Sequence, residues 1–439
     1  MKECEERTVI CENVTVKDGR LRFAGQDCGE LARRFGTPVY LYDEDRLRAN
    51  CRRFVSAVKR AFGEGGFVLY ASKAAAFRQM YRIAGSEGLG TDVVSCGEIA
   101  AAQAAGFDLS NAFFHSNNKT DADIAYAMDR GVGYFVVDCS EELFALAVAA
   151  AERGIRQKVL LRITPGIDPH THAAVRTGQV DSKFGSAIET GRAEEMTRLA
   201  LSLQNLELAG FHCHIGSQIF TADPFVRAAR IMTDFAADMR DALGYTAKII
   251  DLGGGIGVRY VEDQPSCDPG EIIGEMAAAM KERCAERGLP LPRVAIEPGR
   301  AIAADAGMTL YTAGSVKRIP GYKSYVSVDG GMTDNPRFAL YGSPYTVIAA
   351  EKADEECSER FSVVGRCCES GDIIGENIPL PPSVGRGDVI ACLTTGAYHF
   401  SMSSNYNRVC RPPVVMLKSG GAYLAVKAQT PEDLLRGEV

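Results

Sequence analysis

The sequence predicts an α/β protein with an added all-β part: a (β/α)8 barrel of the TIM type and a second domain built like a β-barrel or β-sandwich. Three observations carry this. Short β-branched or aromatic runs alternate with longer, alanine-rich amphipathic stretches from Phe67 to Ile296. The alternation repeats eight times, over a span close to the roughly 250 residues of a closed barrel. After about Ala304 the texture changes to short strands broken by glycine and proline, with no helical pattern between them.

In order, the strand-like runs of the first part are Phe67–Ser72, Thr91–Ser95, Ala112–Ser116, Tyr134–Asp138, Lys158–Thr164, Leu206–His214, Lys248–Leu252 and Arg293–Ile296. Between them lie helical stretches such as Gly97–Ala105, Ser140–Arg153 and Gly270–Arg287. Ser140, followed by Glu141 and Glu142, carries a helix-start signal, because a hydroxyl and early acids satisfy free backbone N–H groups. A doubly wound open sheet shows the same periodicity; the count of eight favours closure.

The later strands are Met308–Val316, Tyr325–Asp329, Phe361–Val364, Asp388–Leu393 and Val414–Leu417. Thr8–Val16 and Leu21–Phe23 are strand-like as well, and are assigned to the β-rich part. The expected division is a barrel over residues 40–305 and a β-rich domain from 1–39 and 306–439. The acidic run Glu351–Glu359 is expected to be a solvated loop.

Composition excludes several classes of function. Apolar residues at 46% and charged residues at 24% describe an ordinary globular chain. A net charge of -7 with no basic stripe argues against nucleic acid and gives no attraction to anionic membranes. The polar start Met1–Arg7 does not resemble a signal peptide, and no apolar run is long enough to cross a bilayer. Cytoplasmic residence is therefore expected, with the 14 cysteines mostly reduced and structural. None forms a CxxC pair, so no metal site is expected.

Barrel chemistry gathers at the carboxyl ends of the strands. Those ends carry Lys73, Asp92 with Ser95, His115, Asp138, Arg162, His214, Gly253–Gly255, and Glu297 with Arg300. A strand-end lysine is ordinarily just solvated; in a pocket, desolvation would turn Lys73 into an amine suited to a Schiff base. Gly253-Gly254-Gly255-Ile256-Gly257 follows the strand Lys248–Leu252, is expected to precede a helix, and lets backbone N–H groups approach a phosphate, although a tight turn explains glycines equally well. It does not match a dinucleotide fingerprint. His212 and His214 share one strand face, yet no third metal ligand is apparent, so stacking of His214 on an aromatic ring is the sharper reading. Glu297-Pro298-Gly299-Arg300 is either a local ion pair or a carboxylate held against a pyridine nitrogen, and the two can coexist.

With these pieces in place, the chain resembles the alanine-racemase-like, fold-type III pyridoxal-phosphate enzymes, and within them the diaminopimelate decarboxylase family. The motifs are Tyr70-Ala71-Ser72-Lys73-Ala74, His115-Ser116-Asn117-Asn118-Lys119, Asp181-Ser182-Lys183-Phe184-Gly185, His212-Cys213-His214-Ile215-Gly216-Ser217-Gln218, the triple glycine, Glu297-Pro298-Gly299-Arg300, Cys368-Glu369-Ser370 and Gly396-Ala397-Tyr398. They run in order from about Thr37 to Pro413.

The resemblance implies decarboxylation of meso-2,6-diaminopimelate to L-lysine and carbon dioxide, the last step of lysine biosynthesis. It implies pyridoxal 5'-phosphate carried on Lys73, with His214 on the ring and Glu297 at its nitrogen. Ser217, Gly253, Gly254, Gly255, Pro298, Gly299, Arg300 and Tyr398 would complete the cofactor site, and Cys368 would reprotonate Cα. Arg300 and Arg337 would take the distal carboxylate and Glu369 the distal ammonium, with Tyr341 and Tyr398 assisting. A homodimer is implied, with Cys368 and Glu369 serving the partner subunit's Lys73. Phe338, Cys96 and the loop Tyr341–Glu359 depart from the family's usual pattern. Should Gly365–Glu369 be strand-like, Cys367 and Cys368 would face opposite sides. The competing readings are a decarboxylase of carboxynorspermidine or ornithine type, an amino-acid racemase, and a non-catalytic regulatory homologue. Arg337 with Glu369 opposes the first, Glu297 the second, and the presence of both Lys73 and Cys368 the third.

Overall fold

A computed structural model describes residues 6–168 and 182–439. Asp181 of the Asp181–Gly185 motif and the first five residues lie outside the described residues. Two compact units appear: one of Asn50–Val258 and Ser266–Ala301, the other of Met1–Ala49, Arg259–Pro265 and Ile302–Val439.

In the first unit eight parallel strands close on themselves: Gly66–Ala71, Gly90–Val93, Ala112–Phe114, Tyr134–Val137, Gln157–Thr164, Leu206–His212, Ile249–Asp251 and Arg293–Ile296. Closure is made by the last strand pairing with the first, Val294 opposite Gly66 and Ile296 opposite Val68. The barrel interior is apolar at its amino end, where Leu69, Phe113, Val136, Leu160, Ala209, Ile249 and Ala295 pack together. Burying such side chains contributes about 1.5–3 kcal/mol for each large one, so the staves need no polar contact to hold their register there. Polar groups are left to the opposite, carboxyl end.

The crossover helices follow their local signals. Ser95 caps Cys96–Ala104 by accepting from Glu98 N, and Thr120 with Asp123 forms a capping box on Asp121–Asp129. The Ser140 helix begins one residue earlier than its hydroxyl suggests: Cys139 is the N-cap, without a side-chain bond, and Ser140 is already helical. Lys119 of the His115–Lys119 motif has structural work. Lys119 is buried, and its Nζ donates to Glu142 and Val136 O at 2.7 Å and to Ser116 O at 3.1 Å. Three partners satisfy the three N–H bonds of the ammonium.

The second unit is all-β apart from short helices. Nine strands are joined through the long strand Gly307–Ile319, which pairs with Val39–Asp43, Lys323–Val328 and Val389–Leu393. Four N-terminal strands, Arg7–Val9, Cys11–Lys17, Arg20–Phe23 and Gln26–Asp27, form a separate meander whose Val14, Val16, Leu21 and Phe23 join a core with Leu41, Leu310 and Val415. Val39–Asp43 is a β-unit strand although the sequence boundary at residue 40 assigns it to the barrel. Its VYLYD run is buried throughout, so alternation gave no sign of its place. Within Glu351–Glu359, Glu351 is not merely solvated: its Oε1 accepts from Arg20 and Arg33, each at 2.9 Å. Among the described residues no helix is long and apolar enough to cross a membrane.

Candidate active site

The carboxyl ends of the barrel strands converge on Glu297. Strand Arg293–Ile296 delivers this carboxylate into a buried position. His115 Nε2 lies 2.8 Å from Oε1, and His212 Nε2 lies 3.2 Å from Oε2. The His115 contact is close but poorly aligned, so neither His115 Nε2 nor Glu297 Oε1 completes a hydrogen bond.

Electrostatics sort these groups into one anion among neutral neighbours. Burial alone would raise the Glu297 pKa, but His115 and His212 outweigh it and hold the carboxyl well below its usual range. Burial pushes His212 down to about 4 and lowers His115, while the Glu297 charge acts the other way on both. Asp92 and Asp251 go the other way: desolvation first, then the Glu297 charge, raises both. One site cannot hold three carboxylate charges at this spacing, and Glu297 keeps the charge because it has the imidazoles.

His214 lies just beyond the strand end Leu206–His212. Its Nδ1 accepts from Gly254 N at 3.3 Å, which puts the ring proton on Nε2. Burial, then the charges of Lys73 and Arg162, lowers its pKa well below 6.5, leaving a neutral flat ring. Ser217 accepts from Arg300 Nε at 3.3 Å and Nη2 at 3.0 Å. Arg300 opens a short helix after Pro298-Gly299, where a Cβ on Gly299 would stand 2.8 Å from the Ala71 side chain.

Two sequence expectations need correction here. Lys73, in the turn Ser72–Ala74, is exposed, where a pocket position was expected to bury it; Asp92 Oδ1 accepts from the neighbouring Ser72 N at 3.1 Å. The triple glycine is not followed by a helix. The next helix starts at Pro269, so any cradle there is loop backbone without a helix dipole. The glycines also answer to packing, since a Cβ on Gly254 would meet Glu297 O at 2.1 Å and one on Gly255 would meet Gly216 O at 2.2 Å.

The β unit holds the remaining candidates. Arg337 starts the helix Arg337–Tyr341 and is buried among the rings of Tyr260, Tyr341, Tyr345 and Tyr398, its guanidinium carbon 5.3–6.0 Å from their centres. Cys368 and Glu369 sit in an exposed bend, not in a strand, so strand alternation does not separate Cys367 from Cys368. They differ all the same: Cys367 is partly covered, its thiol raised to about 11 by burial and then Asp372, whereas Cys368 is exposed and its N–H donates to Asn407 Oδ1 at 2.9 Å. Glu369 bonds only within its own bend among the described residues, to Ser370 and Gly371 N.

Sequence reasoning missed the residues that organise these groups. His115 was named as a strand end and at the head of the His115–Lys119 motif but given no role, and its place on Glu297 could have been inferred from the shared barrel mouth. Asp251 follows an apolar run and gave no signal. Asp372 is buried, and its carboxylate accepts from Met332 N at 2.6 Å and Cys367 N at 2.7 Å, which pins the Cys368 bend. The three described side chains able to ligate a metal together are His115, His212 and Glu297, not the His212–His214 pair of the sequence motif.

A family model described as pyridoxal-dependent decarboxylase, pyridoxal binding domain, matches residues 45–304. A Bacillus subtilis protein named diaminopimelate decarboxylase is 43% identical over 95% of each chain. A Staphylococcus aureus protein of the same name is 40% identical, over 96% of this chain and 99% of its own. The crystal structure of diaminopimelate decarboxylase from M. jannaschii in complex with L-lysine matches with a TM-score of 0.90 at 32% identity, over 98% of this chain and 99% of that one.

Proposed function

The chain belongs to the pyridoxal-dependent decarboxylases, in their diaminopimelate decarboxylase branch, and from that premise we propose how its own residues carry the reaction. The reaction removes one carboxylate of meso-2,6-diaminopimelate as carbon dioxide and leaves L-lysine, the final step of lysine biosynthesis.

The observation that carries the mechanism is the state of Glu297. An ionised carboxylate with one oxygen short of an aligned donor, buried beside two imidazoles, suits the protonated ring nitrogen of pyridoxal 5'-phosphate. When bound, the cofactor supplies an electron sink for the pair released as the carboxylate leaves. Glu297 keeps the proton on that nitrogen. Lys73, exposed at the strand end, would hold the cofactor covalently through its amine. His214 would stack on the cofactor ring. Ser217, Arg300 and the backbone of Gly253–Gly255 hold the phosphate, with Pro298, Gly299 and Tyr398 completing the surroundings.

Cys368 delivers the proton that replaces carbon dioxide at Cα. Arg337, with Tyr341 and Tyr398, holds the carboxylate of the other amino-acid head, and Glu369 its ammonium. Arg337 supports this reading strongly: it is buried, and no carboxylate pairs with it among the described residues. Leaving a guanidinium desolvated and uncompensated costs several kcal/mol, which an incoming carboxylate recovers. Cys368 and Glu369 serve the Lys73 of a second copy in a homodimer. The described cysteines from Cys11 to Cys410 are free thiols, in keeping with a reducing cytoplasm.

The test is turnover of meso-diaminopimelate with added cofactor, read as lysine and carbon dioxide. Lys73→Ala abolishes it, and Cys368→Ala reduces it by about two orders of magnitude or more, as loss of a general acid does. Robust lysine formation by Lys73→Ala defeats the mechanism. Ornithine turnover without diaminopimelate turnover defeats the substrate assignment.

A further inference from the structure

Among the described residues, Arg337 is held by neutral groups alone. Its Nη1 donates to the Tyr345 hydroxyl at 2.8 Å and its Nη2 to Ser343 Oγ at 3.3 Å, while tyrosine faces surround the rest. A carboxylate in place of any of these would bind the guanidinium more strongly, because charge-assisted bonds are about twice as strong as neutral ones. It would also quench the positive charge. A tyrosine oxygen positions the arginine and leaves its charge available to a ligand.

Tyr345 is itself clamped. Its ring meets Tyr260 edge to face, with centres 5.3 Å apart and planes at 87°, and meets His399 at 5.2 Å and 78°. His399 is buried, and its Nε2 lies 3.0 Å from Asn335 Oδ1. Asn335 stands two residues before Arg337, so the contacts close a ring: Arg337, Tyr345, His399, Asn335 and back along the chain. Tyr260 is fixed in turn, since Thr346 Oγ1 donates to its carbonyl at 3.1 Å. A long, rotamer-rich side chain is thereby restrained at its backbone and at its tip. Fixing it before binding removes an ordering cost of about 0.5–1.5 kcal/mol from the binding step.

We propose that Tyr345 is a specificity-determining positioning residue, which orients the Arg337 guanidinium for the carboxylate that survives the reaction, and that Tyr260 and His399 hold Tyr345 for this task. The inference rests on the reading that Arg337 takes the distal carboxylate. Removal of one carboxylate from diaminopimelate leaves lysine, whose own carboxylate belongs to that distal head. Lysine therefore reports on Arg337, and cadaverine, the same diamine chain without any carboxylate, does not.

The experiment compares Tyr345→Phe, Arg337→Gln and the double variant as holoenzymes. Tyr345→Phe keeps the ring and its packing, so it is expected to fold. Losing one hydrogen bond to a charged group predicts a rise of about fivefold or more in KM for meso-diaminopimelate and in the lysine inhibition constant, with kcat within about twofold. Cadaverine inhibition should stay within about twofold, and Tyr345→Phe should add nothing once Arg337 is Gln. An unchanged KM in Tyr345→Phe, beside a large rise in Arg337→Gln, overturns the inference and leaves the reading of Arg337 intact. Equal weakening of lysine and cadaverine also overturns it, as loosening without specificity. An unchanged KM in Arg337→Gln removes the reading itself.

Discussion

Asp334 shows what a single residue's surroundings can do to its charge. Its carboxyl is buried beneath the segment that leads to Arg337; Tyr311 donates to Oδ1 at 2.5 Å and Gly331 N to Oδ2 at 3.0 Å. Burial outweighs these bonds and pushes its pKa up to about 7 from 3.8. The folded protein therefore keeps a proton that the unfolded chain releases near 3.8. The stability this group contributes is fully present below 3.8, declines as pH rises, and is lost above about 7. At most about 4 kcal/mol is involved, since each unit of displacement is worth about 1.36 kcal/mol. Replacing Asp334 with Asn removes the titration while keeping a neutral side chain of similar shape. The expected result is a thermal midpoint that falls more steeply from pH 5 to pH 8 in the native protein than in Asp334→Asn. Parallel slopes would clear Asp334 of any part in the pH dependence. The segment Asp334–Tyr341 was legible in the sequence, because an arginine beside a matched tyrosine is a local pattern. It could not show the cage, whose Tyr260 and Tyr398 come from distant stretches, nor that Lys73 would be exposed, since exposure depends on everything around a side chain.

At the scale of elements, alternation made the barrel legible: all eight strand runs sit where their period and flanking helices put them, within a residue or two. What alternation cannot see is a segment buried on both faces, such as Val39–Asp43, or a bend such as the one carrying Cys367 and Cys368, whose shape is set by Asp372 and not by its own sequence. The triple glycine was legible as a motif but not in its reason. Gly254 is required because a Cβ would meet the Glu297 carbonyl carbon at 2.9 Å and its oxygen at 2.1 Å, and neither is a flexible side chain that can step aside. Gly274, in the helix Pro269–Glu286, has nothing within 4 Å of an added Cβ. The two positions should separate cleanly. Gly254→Ala is expected to lower stability by about 2–4 kcal/mol and to displace Glu297, seen as weakened cofactor retention. Gly274→Ala is expected to be neutral or to stabilise by about 0.5–1 kcal/mol, because alanine costs less helix entropy than glycine. Equal effects at both sites would mean that the crowding at Gly254 is relieved without consequence.

For the whole molecule, the candidates divide between two compact units: Lys73, His214 and Glu297 in the barrel, Arg337, Cys368 and Glu369 in the β unit. Within the β unit the Cys368 bend and the Arg337 cage are separate groups of residues, and the proposed chemistry needs both to reach one substrate. The proposed sharing between two copies would bring each copy's bend to the other's Lys73. The prediction is that two inactive variants rescue each other. In a heterodimer of Lys73→Ala and Cys368→Ala chains, one composite site combines both substitutions and the other combines neither. Purified heterodimers carrying a different tag on each chain should therefore work at about half the native rate per dimer, while either homodimer stays near background. If each site were built within one chain, every site in the heterodimer would carry one of the two substitutions and no rate would return. A heterodimer without activity, or a monomer fully active during sizing, would put Cys368 and Lys73 of a single chain in the same site, and the exposed bend would then need another explanation for its anchoring by Asp372 and Asn407.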